Sequence, residues 1–147
     1  QTALSAVLVL GPACEEEQDP CDCVSAGDFN IVTHCGNPVV INASAGPEQV
    51  TEALTALRDQ KPVVVDFVKS SADGFSGTAG YAYSTGDGTV FFTSFGYVDS
   101  YAIGLPIDRY ELKEPAFFAA CLADADPNAR FECLYTMTAA KLGTCGG

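Results

Sequence analysis

His34 stands beside Cys35, and three carboxylates, Asp66, Asp73 and Asp87, lie in or near the apolar centre of the chain. A histidine sharing a proton with a cysteine would make a nucleophile, and two converging carboxylates would support hydrolysis without one. The first combination fails on a strand. "FNIVTHC" is a β-branched run, so neighbouring side chains point to opposite faces, and Cys35 reads as structural with His34 on the surface. The second stays open only as an alternative, because nineteen acidic residues make any chosen pair arbitrary. "DADPN" puts Asp124, Asp126 and Asn128 at the first, third and fifth places of a calcium loop. Ala129 then replaces the turn glycine and Tyr135 the bidentate glutamate, so helix capping by Asp126 accounts for the run. Neither a nucleophile elbow, a zinc-protease pair, a phosphate loop nor a dinucleotide fingerprint is present.

Seven cysteines, Cys14, Cys21, Cys23, Cys35, Cys121, Cys133 and Cys145, offer a second kind of chemistry. Cys21-Asp22-Cys23 is too tight for zinc, no Cys-x-x-Cys occurs and there is one histidine, so neither a metal nor a cofactor is expected. The odd count suggests that one cysteine has another fate. With Cys14 set aside, six remain for three disulfides in about 15 possible connectivities.

The elements that must position these residues follow from pattern. "FNIVTHC" and "PVVINAS" read as short strands around Gly36-Asn37-Pro38. "GPEQVTEALTALRDQ" reads as a helix with Pro47 first and Val50, Leu54 and Leu57 on one face. "KPVVVDFV" reads as a strand buried on both faces, completing a βαβ-like start. Gly86-Asp87-Gly88 then separates two aromatic runs, a hairpin signal. A three-residue loop would align Tyr81 and Tyr83 with Phe91, Phe95 and Tyr97; a two-residue loop would set them beside Phe92. That aromatic face suits core packing first and a binding platform second. The C-terminal part predicts two helices, from Pro115 and from Pro127 to near Gly143, the second with Phe131, Leu134, Tyr135, Thr138 and Leu142 inward. Their short link makes them an antiparallel pair with Cys121 facing Cys133, and leaves Cys145 to reach Cys21, Cys23 or Cys35. The expected fold is a single α+β domain over residues 21–147: a small sheet, an aromatic hairpin and a C-terminal helix pair, stabilised by disulfides.

"ALRDQKPVVVDFVKSS" is similar to the first strand-helix-strand segment of thioredoxin-like proteins. In that family the strand leads into a redox Cys-x-x-Cys. Here Val68, Lys69, Ser70, Ser71, Ala72, Asp73 and Gly74 follow, so the family's exchange chemistry has no thiolate to use.

The opening "QTALSAVLVLGPAC" bears on compartment. Thr2 to Ala13 is uncharged and too short for a bilayer span of about 20 residues. It fits the apolar region and cleavage site of an export signal. "LVLGPAC" resembles the lipobox of bacterial lipoproteins, with Gly11 and Pro12 standing where that motif carries Leu and a small residue. The resemblance implies lipidation of Cys14, with residues 1–13 a truncated signal and 14–20 an acidic tether. Ordinary cleavage after Ala13 is the competing reading, and a strand donated to a neighbouring subunit is a third.

A formal net charge of −12, with no cluster of Lys or Arg, argues against nucleic acid and against an anionic lipid surface. The sequence thus predicts an extracytoplasmic, disulfide-bonded envelope protein, on the bacterial cell surface or secreted, that meets the membrane only through a lipid anchor. Its expected role is non-enzymatic, binding a protein or glycan ligand or serving as structure. The alternatives are an assembly or filament subunit using residues 1–13, or a small carboxylate enzyme near Asp66.

Overall fold

Residues 19–27, 30–98 and 106–145 are described by the structure, a computed structural model. Residues 1–18, with Cys14, the expected export signal and most of the expected tether, lie outside them. A short 3₁₀ turn, Pro20–Cys23, opens the described chain, and the Cys21 amide donates to the Asp19 carboxylate at 2.9 Å. β1 (Val24–Gly27) and β2 (Asn30–Thr33) pair antiparallel as a separate two-stranded ribbon.

β3 (Val39–Asn42), α1 (Pro47–Arg58) and β4 (Val63–Ser70) form the βαβ start, with β3 and β4 parallel and Val40 opposite Val64. α1 begins with Pro47 in its first turn and buries Val50, Ala53, Leu54 and Leu57, the face its spacing predicts. From β4 onward every pairing is antiparallel. β5 (Ser76–Ser84), β6 (Thr89–Val98), β7 (Ile107–Leu112) and β8 (Thr138–Cys145) complete a six-stranded sheet in the order β3-β4-β5-β6-β7-β8.

The β5–β6 hairpin takes the register of a three-residue loop, with Tyr83 opposite Phe91 and Ala79 opposite Phe95. Gly86 and Gly88 both have φ near +85° (85 and 84), the left-handed conformation that admits glycine without a Cβ clash. Between them Asp87 accepts from the Thr89 amide at 3.0 Å and from its hydroxyl at 2.7 Å, which locks the turn.

Alternation along these strands separates two faces. On one, Val63, Val65, Phe67, Ala82, Val90 and Phe92 pack under α1, α2 (Pro115–Ala123) and α3 (Pro127–Glu132). Phe67 is fully buried and lies across Gly80, where a Cβ would sit 2.2 Å from its ring. On the other face Val64, Tyr83, Phe91 and Ile107 pack against Val24 and Ile31 of the ribbon. The molecule is therefore three layers, helices over sheet over ribbon, an α+β fold.

Among the described residues three disulfides fasten it: Cys121–Cys133 between the helices, Cys23–Cys35 across the ribbon, and Cys21–Cys145 tying the first turn to the last strand. The helix from Pro127 is shorter than its sequence predicts. It ends at Glu132, a 3₁₀ turn covers Cys133–Thr136, and Thr138–Cys145 is β8 rather than a continued helix. Phe131, Leu134 and Tyr135 do face the core, but Thr138 and Leu142 lie on a strand and Leu142 is exposed. Beyond Met137 only Leu142 is large and apolar, so a further helical turn has no stripe to bury, whereas β7 offers an unpaired edge of backbone donors and acceptors.

Candidate functional site

The carboxylates singled out by sequence are not neighbours. Asp73 and Asp87 sit before and after the nine-residue β5, so the strand alone separates them by roughly 30 Å. Each closes a turn. Amides of Phe75 and Ser76 donate to Asp73 at 2.9 and 3.1 Å, and these bonds hold its carboxyl below the usual range. Burial opposes ionisation of Asp87, but bonds from Thr85 and Thr89 outweigh it and keep that carboxyl low too. Asp66 alone is shifted upward, by burial, and its Oδ1 is enclosed without a hydrogen-bond partner. One raised carboxyl among two structural ones is not an acid–base pair.

His34 shares a hydrogen bond with the Ser25 hydroxyl at 2.8 Å on an exposed surface, while Cys35 is oxidised to Cys23. Asp126 caps α3 through the Asn128 amide at 3.0 Å, and Asp124 receives the Asp126 amide at 2.9 Å. Among the described residues no cluster of His, Cys, Asp or Glu is placed to hold a metal ion.

The aromatic set divides along the hairpin. Tyr83 and Phe91 stack at 6.0 Å beneath the ribbon, and the Tyr83 hydroxyl donates to the Cys35 carbonyl at 3.0 Å. Tyr81 and Phe95 stack at 6.4 Å in the next row; burial, and then the nearby Asp66 charge, push the Tyr81 phenol up. Tyr83, Phe91 and Phe95 are buried, and Tyr81 and Tyr97 are half-buried. Tyr97 reaches across Gly77, where a Cβ would lie 2.3 Å from the Lys69 carbonyl oxygen and 2.7 Å from the phenol oxygen; the Tyr97 hydroxyl meets that of Ser70 at 3.1 Å.

Tyr97 belongs to the rim of a groove of about 770 Å³ at the open end of the β4–β5–β6 strands. Cross-strand register builds its floor: Lys69, Thr78 and Gly96 form one row, with Ser94 beside them opposite Gly80. The 3₁₀ turn after α3 supplies a wall. Tyr135 stands edge-on to Phe67 at 4.8 Å, and its hydroxyl meets Thr78 Oγ1 at 3.0 Å. Lys69 and Glu132 close the side as an exposed ion pair.

No family model matches the chain, and neither does any curated protein or solved structure. The groove's chemistry is therefore read from its own groups. Its hydroxyls, Ser70, Ser71, Ser76, Thr78, Ser94, Tyr97 and Tyr135, can both donate and accept. Lys69 is held as an ammonium by the hydrogen bond and charge of Glu132, and the Tyr135 phenol is pushed up, mainly by burial. Neither serves as a base near neutrality, so these groups suit hydrogen bonding to a polar ligand rather than proton transfer.

Sequence reasoning marked Tyr97 and Tyr135 but not Lys69, Thr78, Ser94 or Glu132. Small hydroxyl residues carry no spacing signal, and Lys69 and Glu132 meet from 63 positions apart. The cross-strand row through Thr78, with Ser94 opposite Gly80, is the one signal that could have found the floor once the hairpin register is chosen.

Proposed function

We propose that this chain is an exported cell-envelope protein, lipid-anchored through Cys14, whose domain binds a polar ligand and does not catalyse a reaction. The observation that carries the binding role is the groove: hydroxyls from three strands and one helical turn line it, beside an ammonium and a carboxylate. The accessible lining is more apolar than polar, with the hydroxyls set into it, and such a surface fits a glycan, whose sugar rings carry both apolar faces and hydroxyls. Three disulfides support an oxidising, extracytoplasmic setting. The carboxylate-enzyme alternative loses ground because Asp66, Asp73 and Asp87 stand apart.

Two measurements test this. Intact mass of the mature protein made from the full gene should show a chain starting at Cys14 with acyl mass added; an unmodified chain keeping Gln1 to Ala13 overturns the anchor. Envelope saccharides titrated into labelled protein should shift amides of Thr78, Ser94 and Gly96. Gly96→Trp, which fills the groove from an exposed position where a Cβ meets nothing nearer than the Gly77 carbonyl oxygen at 3.8 Å, should abolish those shifts. Shifts that survive Gly96→Trp, or none with any saccharide, overturn the groove as a glycan site.

A further inference from the structure

The two edges of the sheet are defended differently. β8 carries Lys141, paired with Asp108 at 3.2 Å, and is tied down at its end by Cys145–Cys21. Charged side chains of this kind keep sheet edges from pairing with other chains. β3, at the opposite edge, has no such guard. Among the described residues it has one neighbour, β4, and Val39 and Val40 are 61% and 68% exposed. From Cys35 to Pro47 the sequence has no charged residue at all.

That neutrality selects the occupant. In a chain of net charge −12, most surfaces of two copies repel one another, and this edge is a place where they meet without opposing charges. We infer that β3 is a self-association edge, pairing antiparallel with β3 of a second copy about a two-fold axis to join two six-stranded sheets into one. Centred on Val40, this register sets Val40 against its own symmetry mate and Val39 against Ile41 on either side of it, so the three central cross-strand pairs are apolar and β-branched, while Asn42 falls beyond them opposite Pro38. Parity agrees: Val40 lies on the ribbon face with Val64, while Val39 and Ile41 lie on the helix face with Val63 and Val65. Four residues of edge make a small interface, so the association is weak in solution and gains where copies are concentrated on a surface. It does not depend on the groove or on the lipid anchor.

Sedimentation equilibrium of the complete chain, up to about 1 mM protein and at low and moderate salt, tests the inference. A closed monomer–dimer equilibrium that tightens as salt screens the charge is expected. Val40→Lys, at an exposed position that leaves the monomer fold intact by its amide spectrum, should weaken dimerisation about tenfold or more by placing like charges opposite each other. Leu142→Lys on β8 should leave it unchanged. A monomer at every concentration and salt overturns the inference. So does a dimer indifferent to Val40→Lys, a polymer that grows with concentration, or a dimer lost when residues 1–13 are removed, which would assign the edge to a donated strand.

Discussion

The helix face and the ribbon face of the sheet bury their aromatic residues by different means. Under the helices, Phe67, Phe118, Leu54, Leu134 and Met137 are sealed by three helices in one continuous core. Under the ribbon a much smaller cluster around Tyr83 and Phe91 is covered by two four-residue strands. A two-stranded ribbon is marginal by itself. Cys23–Cys35 and Cys21–Cys145 hold it in place, so covalent closure substitutes there for hydrophobic area. Packing chiefly secures the helix face, with Cys121–Cys133 added between its helices, whereas the ribbon face depends on cross-linking.

The largest expected break in that contrast comes from the longest cross-link. Replacing Cys21 and Cys145 together by Ser should cost about 4 to 5 kcal/mol, since the bridge spans 124 positions, against about 3 for Cys121 and Cys133, which span 12. Denaturant unfolding measures both, and amide exchange should rise first in β1 and β2 while α1 stays protected. Equal losses, or protection lost first in α1, would contradict the division.

Gly80→Ala sharpens the helix-face side. Its Cβ would press into the Phe67 ring within a close-packed core, at a cost of about 1 to 3 kcal/mol. At half-buried Gly88, where a Cβ would meet nothing within 4 Å but φ is +84°, the same change should cost about 1 kcal/mol from backbone strain alone. The reverse order in thermal unfolding would mean that the helix-face core is loosely packed.

The smallest effects are electrostatic and of opposite sign. Asp73 and Asp87 have lowered folded pKa values, so their stabilisation is complete above the unfolded carboxylate range and is lost as pH falls through the folded values. Asp66 is raised, so its ionisation disfavours the fold at neutral pH, and protonating it on acidification restores stability. Asp66→Asn should therefore raise the midpoint at neutral pH, while Asp87→Asn should lower it there and flatten its acid-side decline. A fall in the Asp66→Asn midpoint would show that the enclosed Oδ1 has a partner in solution.

Much of the architecture was legible. The βαβ start, the hairpin at Gly86-Asp87-Gly88 and the Cys121–Cys133 bridge follow from runs of apolar residues, turn chemistry and spacing within short segments. β7 and β8 were not. "IDRYEL" and "TAAKLGTC" have mixed polarity and become strands by pairing with each other and with β6. The groove was equally hidden, because its Thr, Ser and Gly residues acquire meaning only in cross-strand rows.

By itself the sequence determined what is local or additive: a folding chain, its strong negative charge, an even set of six cysteines after Cys14, the helix beginning at Pro47, and the aromatic hairpin. Tertiary structure decided the rest. It chose one of two hairpin registers, ended the last helix at Glu132, spread three carboxylates along the sheet and, among the described residues, gave β3 a single neighbour. Each of these depends on a partner far away in sequence, a backbone edge to pair with or a layer to pack against, and such partners exist only once the layers have assembled.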